Sequence, residues 1–186
     1  MQGFTLPWGI CGGWALDLYL NRVTRNHKDV DMAILRRDQL PLQKMLLESG
    51  WEMEIASKGT FTKWAPGIPI CSPLHTIWCK HRGDSLGFIE ILLNEAEGDQ
   101  FNFRREPRVH MDLGSAFERS PSRIPVLAPE IVLLYMATGR DLTSHGADFG
   151  NTLANLTSDR MKWLRDALEL IKPDHSWLNI LNNTGA

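Results

Sequence analysis

The sequence has no excess of positive charge: 20 Lys+Arg stand against 22 Asp+Glu, for a net charge of −2. A protein that grips duplex nucleic acid by bulk charge needs clustered Lys and Arg to neutralise phosphates, so stable nucleic-acid binding is not expected. No apolar run approaches the roughly 18 residues of a membrane span. The opening MQGFTLPWGICGGWALDL lacks the basic-then-apolar plan of a secretory signal. No membrane association is expected. Cys11, Cys71 and Cys79 are odd in number and lack CxxC spacing, which argues against a disulfide framework or zinc knuckle and for a reduced, cytoplasmic setting. Long flexible linkers, low-complexity tracts and internal repeats are missing too.

What is present suffices for a real core. At 186 residues and 43% hydrophobic content, the chain suits one ordinary domain or a compact core with a small appended subdomain. Leu6–Cys11 reads as a short apolar strand, and Gly12-Gly13 opens a helix through Leu20. Val30–Ile34 predicts a strand, and Asp38–Glu48 a helix closed by Gly50. Trp51–Ala56, Phe61–Trp64, Thr76–Lys80 and Phe88–Leu93 are strand-like stretches rich in Ile, Phe, Thr and Trp, with Phe101–Arg105 a further one. Beyond about residue 112 helices dominate: one opened by Pro129, then Asp148–Leu156, Ser158–Ile171 and Trp177–Leu181. This order, a mixed half followed by a helical half, predicts an α+β architecture and not alternating doubly wound units.

One segment concentrates the chemistry: Gly12-Gly13-Trp14-Ala15-Leu16-Asp17, then Arg22, Arg25 and His27, then Asp29-Val30-Asp31. Strand residues two apart share a face, so Asp29 and Asp31 present two carboxylates side by side while Val30 turns inward. Their repulsion is naturally relieved by a cation, and oxygen-only ligands favour Mg²⁺ completed by waters and phosphates. A Gly-Gly turn into a helix lets backbone N–H groups approach a phosphate. Glu90, isolated in the apolar run FIEIL, supplies a third carboxylate, because an unpartnered buried Glu is rare; Glu95 is a less well-placed substitute. Together these parts describe a site for a metal-chelated nucleotide. Arg22, Arg25 or Lys28 could meet its outer phosphates. His27 could orient an Asp, contact a phosphate or cap the loop, whereas Asp17 is expected to bond Arg22 or the loop backbone. Arg104, Arg105 and Arg108 form a small basic cluster, read as a solvated strand end or as a contact for an anionic substrate. Trp14 either packs its helix or shapes the nucleotide pocket.

The string GGWALDLYLNRVTRNHKDVD, residues 12–31, resembles the polymerase-beta-type nucleotidyltransferase superfamily, and within it the aminoglycoside 2''-adenylyltransferase group. Softer similarity continues through HTIWCKH, FIEILLNE, FRREPRV and LAPEIVLLY. The resemblance implies a nucleotidyltransferase-type mixed sheet flanked by helices over residues 1–112, followed by a small helical C-terminal subdomain over 113–186. It implies Asp29, Asp31 and Glu90 as metal ligands and catalytic acids, with Gly12 and Gly13 against the triphosphate. The implied reaction is Mg²⁺-dependent transfer of a nucleoside monophosphate, usually AMP from ATP, to a hydroxyl of a small molecule such as an aminoglycoside-like antibiotic.

Two positions depart from the family pattern. Where relatives commonly carry Lys, this chain has Met136 and Ser144-His145, which removes positive charge from where a triphosphate is expected. Two other readings therefore stay open: a catalytically degenerate binding or regulatory module, and a toxin-type enzyme that modifies protein or RNA hydroxyls.

Overall fold

Alternation in the six residues VDMAIL organises the centre of the molecule. In β2 (Val30–Leu35) Met32 and Ile34 face one core, while Ala33 and Leu35 face the other. Asp31 shares the second face, as the period of two requires. The computed structural model describes all residues except 2, 82, 84–87, 140–144 and 185–186.

Before β2 come β1 (Trp8–Cys11) and α1 (Gly12–Leu20); after it come α2 (Gln39–Glu48), β3 (Trp51–Ser57) and β4 (Thr60–Lys63). The strands β5 (Thr76–His81) and β6 (Phe88–Glu97) follow, then the short β7 (Gln100–Asn102) and β8 (His110–Asp112). The remainder comprises α3 (Leu113–Ala116), β9 (Phe117–Arg119), β10 (Pro125–Leu127), α4 (Pro129–Ala137), α5 (Gly146–Leu153), α6 (Ser158–Ile171) and α7 (Trp177–Thr184). The expected α+β class is the one observed.

The strands form a mixed sheet in the order β4-β3-β5-β6-β2-β1-β10-β9, with β7 and β8 added beside the far end of β6. Two pairs are parallel, β2 with β6 and β1 with β10, and the others are antiparallel. The parallel register matches Asp31 to Glu90, Ala33 to Leu92 and Leu35 to Asn94. The sheet thus continues past residue 112 through β9 and β10. The strand expected over Phe101–Arg105 is shorter than its apolar text implies, because pairing stops at Asn102.

Each sheet face has its own core. One gathers Met32, Ile34, Ile77, Ile91 and Leu93 beneath Leu42 and Leu46 of α2, closed by the buried Trp64. The other packs Leu16, Ala33 and Phe101 against Ile131 and Leu134 of α4, Leu164 and Leu168 of α6, and Leu178 of α7. Met161, Leu164, Leu168 and Ile171 recur at helical spacing along α6 and turn inward to this core. Pro129 occupies the first turn of α4, where its missing N–H costs nothing. The side chain of Thr157 caps α6 by accepting from the Arg160 N–H. Among the described residues no helix is long and apolar enough to cross a membrane, and Cys11, Cys71 and Cys79 are free thiols.

Candidate active site

The register of β2 against β6 brings the three acids together. Carboxylate oxygens of Asp29, Asp31 and Glu90 all lie within 4.8 Å of one another. Asp31 and Glu90 are direct partners across the parallel pair, while Asp29 occupies the residue just before β2 begins. Such crowding is costly without a counter-charge. Burial, then the charges of Asp29 and Glu90, push the Asp31 carboxyl up to about 7, with Arg25 opposing the rise. Burial and Asp29 also raise Glu90, while a hydrogen bond from the Trp78 side chain restrains it. Burial and the nearby acids drive the Cys11 thiol upward, so it is an inert neutral neighbour. Three hard oxygen donors, crowded together where burial and mutual repulsion both raise Asp31, form a donor set that suits Mg²⁺.

Glycine is required beside these acids. Gly12 has φ +63, and a Cβ there would collide with Oδ2 of Asp31. A Cβ on Gly13 would collide with the Arg25 guanidinium and the His27 ring. The close approach at both glycines is thus made by side chains. The first turn of α1 has no side-chain cap, which leaves its N–H groups for an anion.

The basic residues expected around the motif separate into two sets. Arg25 and His27 line the cavity beside the acids, whereas Arg22 and Lys28 are exposed and do not line it. Arg25 donates from Nε and Nη2 to the two carboxylate oxygens of Asp148 on α5, at 3.0 and 3.2 Å. His27 is held by Asp17, with Nε2 2.6 Å from Oδ2, and its ring lies 4.6 Å from that of Trp14. Asp17 is only 3% exposed and also accepts from the N–H and hydroxyl of Thr24. Of the two partners expected for Asp17, the structure shows the loop backbone, through the Thr24 N–H, and its other carboxylate oxygen holds His27, which still borders the cavity. Trp14 faces the cavity.

That cavity has a volume of about 490 Å³, within the roughly 300–1,000 Å³ common for small-molecule sites. It extends from Gly12-Gly13 across Asp31 and Glu90 to His75 and Thr76, roofed by Val132, Tyr135 and Met136 of α4. Met136 contributes an apolar surface there. His145 also lines it, with Nδ1 3.4 Å from Asp148; Ser144 lies outside the described residues. Arg104 and Arg105 line the wall near Tyr135, while Arg108 turns away to pair with Glu106. Asn94 and Asp148 were not singled out from the sequence. Asn94 shares the face of Glu90 by the strand period, a signal that was there to use, whereas Asp148 becomes visible only once α5 is docked on Arg25.

A family model of aminoglycoside-2''-adenylyltransferase matches residues 1–145. The chain belongs to this family. It is accordingly a nucleotidyltransferase enzyme. Three solved structures share the adenylyltransferase fold. The lincomycin-bound lincosamide antibiotic adenylyltransferase LnuA is 20% identical, covering 80% of this chain and 87% of that one, with a TM-score of 0.53. The antibiotic-resistance factor ANT(2'')-Ia in solution is 18% identical, covering 88% and 82%, with a TM-score of 0.55. ANT(2'')-Ia in complex with adenylyl-2''-tobramycin is 16% identical, covering 97% and 87%, with a TM-score of 0.51. No curated protein matches the sequence significantly.

Proposed function

We propose that the protein transfers AMP from ATP to a hydroxyl of a small antibiotic-like acceptor, with Mg²⁺ held by Asp29, Asp31 and Glu90, in a cytoplasmic setting. The observation that carries this reading is the convergence of three carboxylates beside a glycine turn and an uncapped helix end in one cavity. Bound there, Mg²⁺ supplies charge neutralisation to the phosphates.

The chain's own groups then divide the work. Backbone N–H groups at the start of α1 receive phosphate oxygens, and the Arg25 guanidinium, fixed by Asp148, adds positive charge next to them. The Glu90 carboxylate, facing the cavity beside Asp31, accepts the proton of the acceptor hydroxyl. The hydroxyl oxygen forms a bond to the α-phosphorus while the bond to the leaving oxygen breaks, and pyrophosphate departs. Positioning and charge stabilisation account for the acceleration, with no covalent intermediate on the protein. Trp14 and His27 shape the wall next to Gly13.

The test is incubation with ATP labelled at the α-phosphate, Mg²⁺, and aminoglycoside or lincosamide acceptors alongside cell extract. Labelled product is expected with at least one of these acceptor sources, and Asp29→Ala or chelation of the metal abolishes it. Absence of both product and any nucleoside-triphosphate-dependent rise in melting temperature would refute the reading.

A further inference from the structure

The cavity's charge is unevenly distributed. Its only acidic lining residues among those described are Asp29, Asp31 and Glu90, and all three are committed to the cation site. The strand order β5-β6-β2-β1 places Glu90 and Asp31 in the middle. Gly12-Gly13 follows β1 on one side, and Thr76 of β5 with His75 just before it lies on the other. With strands roughly 4.8 Å apart, the two ends of the cavity are about three strand spacings apart.

Arg104 and Arg105 close the β5 side. Both guanidiniums lie over the Tyr135 ring, 5.8 and 5.2 Å from its centre. The Tyr135 hydroxyl donates to Asn94 of β6 at 3.0 Å, which anchors this wall to the sheet. Arg105 is fixed further by donating to the Tyr135 carbonyl and the Thr138 hydroxyl, both at 2.6 Å. Neither arginine has a carboxylate partner among the described residues, and the adjacent acid, Glu106, is taken by Arg108 at 2.8 and 2.9 Å. Loss of solvent and the charge of Arg104 push the Arg105 guanidinium downward. Burial, with added repulsion from Arg104, Arg36 and Arg105, lowers His75. Two like charges are thus held side by side, with no opposite charge paired to them among the described residues.

In-line displacement puts the acceptor opposite the departing pyrophosphate. With the phosphates against α1, the acceptor enters from the β5 side. We propose that Arg104 and Arg105 form an oxyanion-binding wall of the acceptor site, so that the natural acceptor is a hydroxylated molecule bearing a phosphate or carboxylate and not a polyamine. This rests on the adenylyl-transfer reading above. Guanidinium forks suit both oxyanions, whereas an aminoglycoside would set its ammonium groups against two arginines with no spare carboxylate to receive them.

The experiment saturates the intact protein with Mg²⁺ and a non-hydrolysable ATP analogue. Inorganic phosphate, acetate and an aminoglycoside are then titrated separately by calorimetry. Phosphate or acetate is expected to bind, the tighter of the two identifying the oxyanion, and added salt should weaken the binding. Arg104→Gln, which removes a guanidinium that makes no side-chain hydrogen bond, should weaken it about tenfold and leave the analogue's affinity within about twofold. The double variant with Arg105→Gln should abolish it. If Arg104→Gln instead weakens the analogue, the pair serves the triphosphate and the proposal fails. It fails equally if neither anion binds, if the variant binds them as wild type does, or if the aminoglycoside binds more tightly than either. Failure of the analogue itself to bind refutes the adenylyl-transfer reading separately, and the Arg104 dependence of anion binding is then read on the nucleotide-free protein.

Discussion

At the residue scale, Asp31 stands under opposing demands. Its carboxyl is raised from the ordinary 3.8 to about 7 by burial and by two neighbouring acids. A carboxyl whose folded value lies above its unfolded value costs stability when ionised. That cost is absent below about pH 4, grows as pH rises, and is complete above about pH 7. The metal-free protein should therefore melt at a lower temperature at pH 8 than at pH 6, and Mg²⁺, which requires the ionised carboxylate, should bind more tightly at pH 8. Asp31→Asn keeps the shape and removes the charge. It should stabilise the metal-free protein by ~1–3 kcal/mol at pH 8, flatten the pH dependence and abolish transfer; melting curves in chelator across this range check all but the last. Glu90→Gln separates a different role. It keeps an oxygen ligand but cannot accept the hydroxyl proton, so kcat should fall by about 10²–10⁴ with ATP binding retained, as measured by turnover and calorimetry on the same preparation.

At the element scale, the site depends on how the loop before β2 is fastened. Arg25 reaches from that loop to Asp148 on α5, whose side chain is only 4% exposed. Arg25→Met would leave a buried carboxylate with His145 as its remaining side-chain partner among the described residues. Because Arg25 is itself 41% exposed, the loss should be moderate, ~1–3 kcal/mol. Asp148→Asn, which leaves no buried charge, should cost less; urea denaturation of both variants tests this ordering. The same elements show what could be read in advance. The spacing of two in Asp29-Val30-Asp31 put those carboxylates on one face, and the single acid in the apolar run FIEIL marked Glu90. Their pairing with each other required a parallel contact between segments nearly sixty residues apart, which no local pattern encodes. The three-residue strands β8, β9 and β10 are too short to carry a periodic signal. The turn that places Arg104 and Arg105 over Tyr135 was invisible for a related reason. FNFRR reads as a continuing strand, and only the end of its pairing at Asn102 frees the arginines to face the cavity.

At the scale of the whole molecule, the two halves expected from the sequence share one core. Leu16, Ala33 and Phe101 pack with Ile131, Leu164 and Leu178, and β10, from the later half, lies beside β1. Arg160 of α6 adds a polar tie, donating to Glu130 of α4 at 2.9 Å and to Glu118 of β9. The halves are therefore expected to act as two walls of a cleft and to unfold together. Tryptophan fluorescence and far-ultraviolet circular dichroism should trace a single coincident transition, with two separate transitions counting against a shared core. Ligand in the cleft touches both walls, so it should stabilise the entire transition and not one phase of it. At a hundred times its dissociation constant, Mg²⁺–ATP should add ~2.7 kcal/mol. For a chain of this size that is a rise of about 5–10 °C. AMP lacks the outer phosphates that the proposed function sets against α1 and Arg25, so at equal concentration it should produce a much smaller rise. Equal shifts with AMP and ATP would mean that the N-terminus of α1 does not receive the triphosphate, whatever the acid cluster binds.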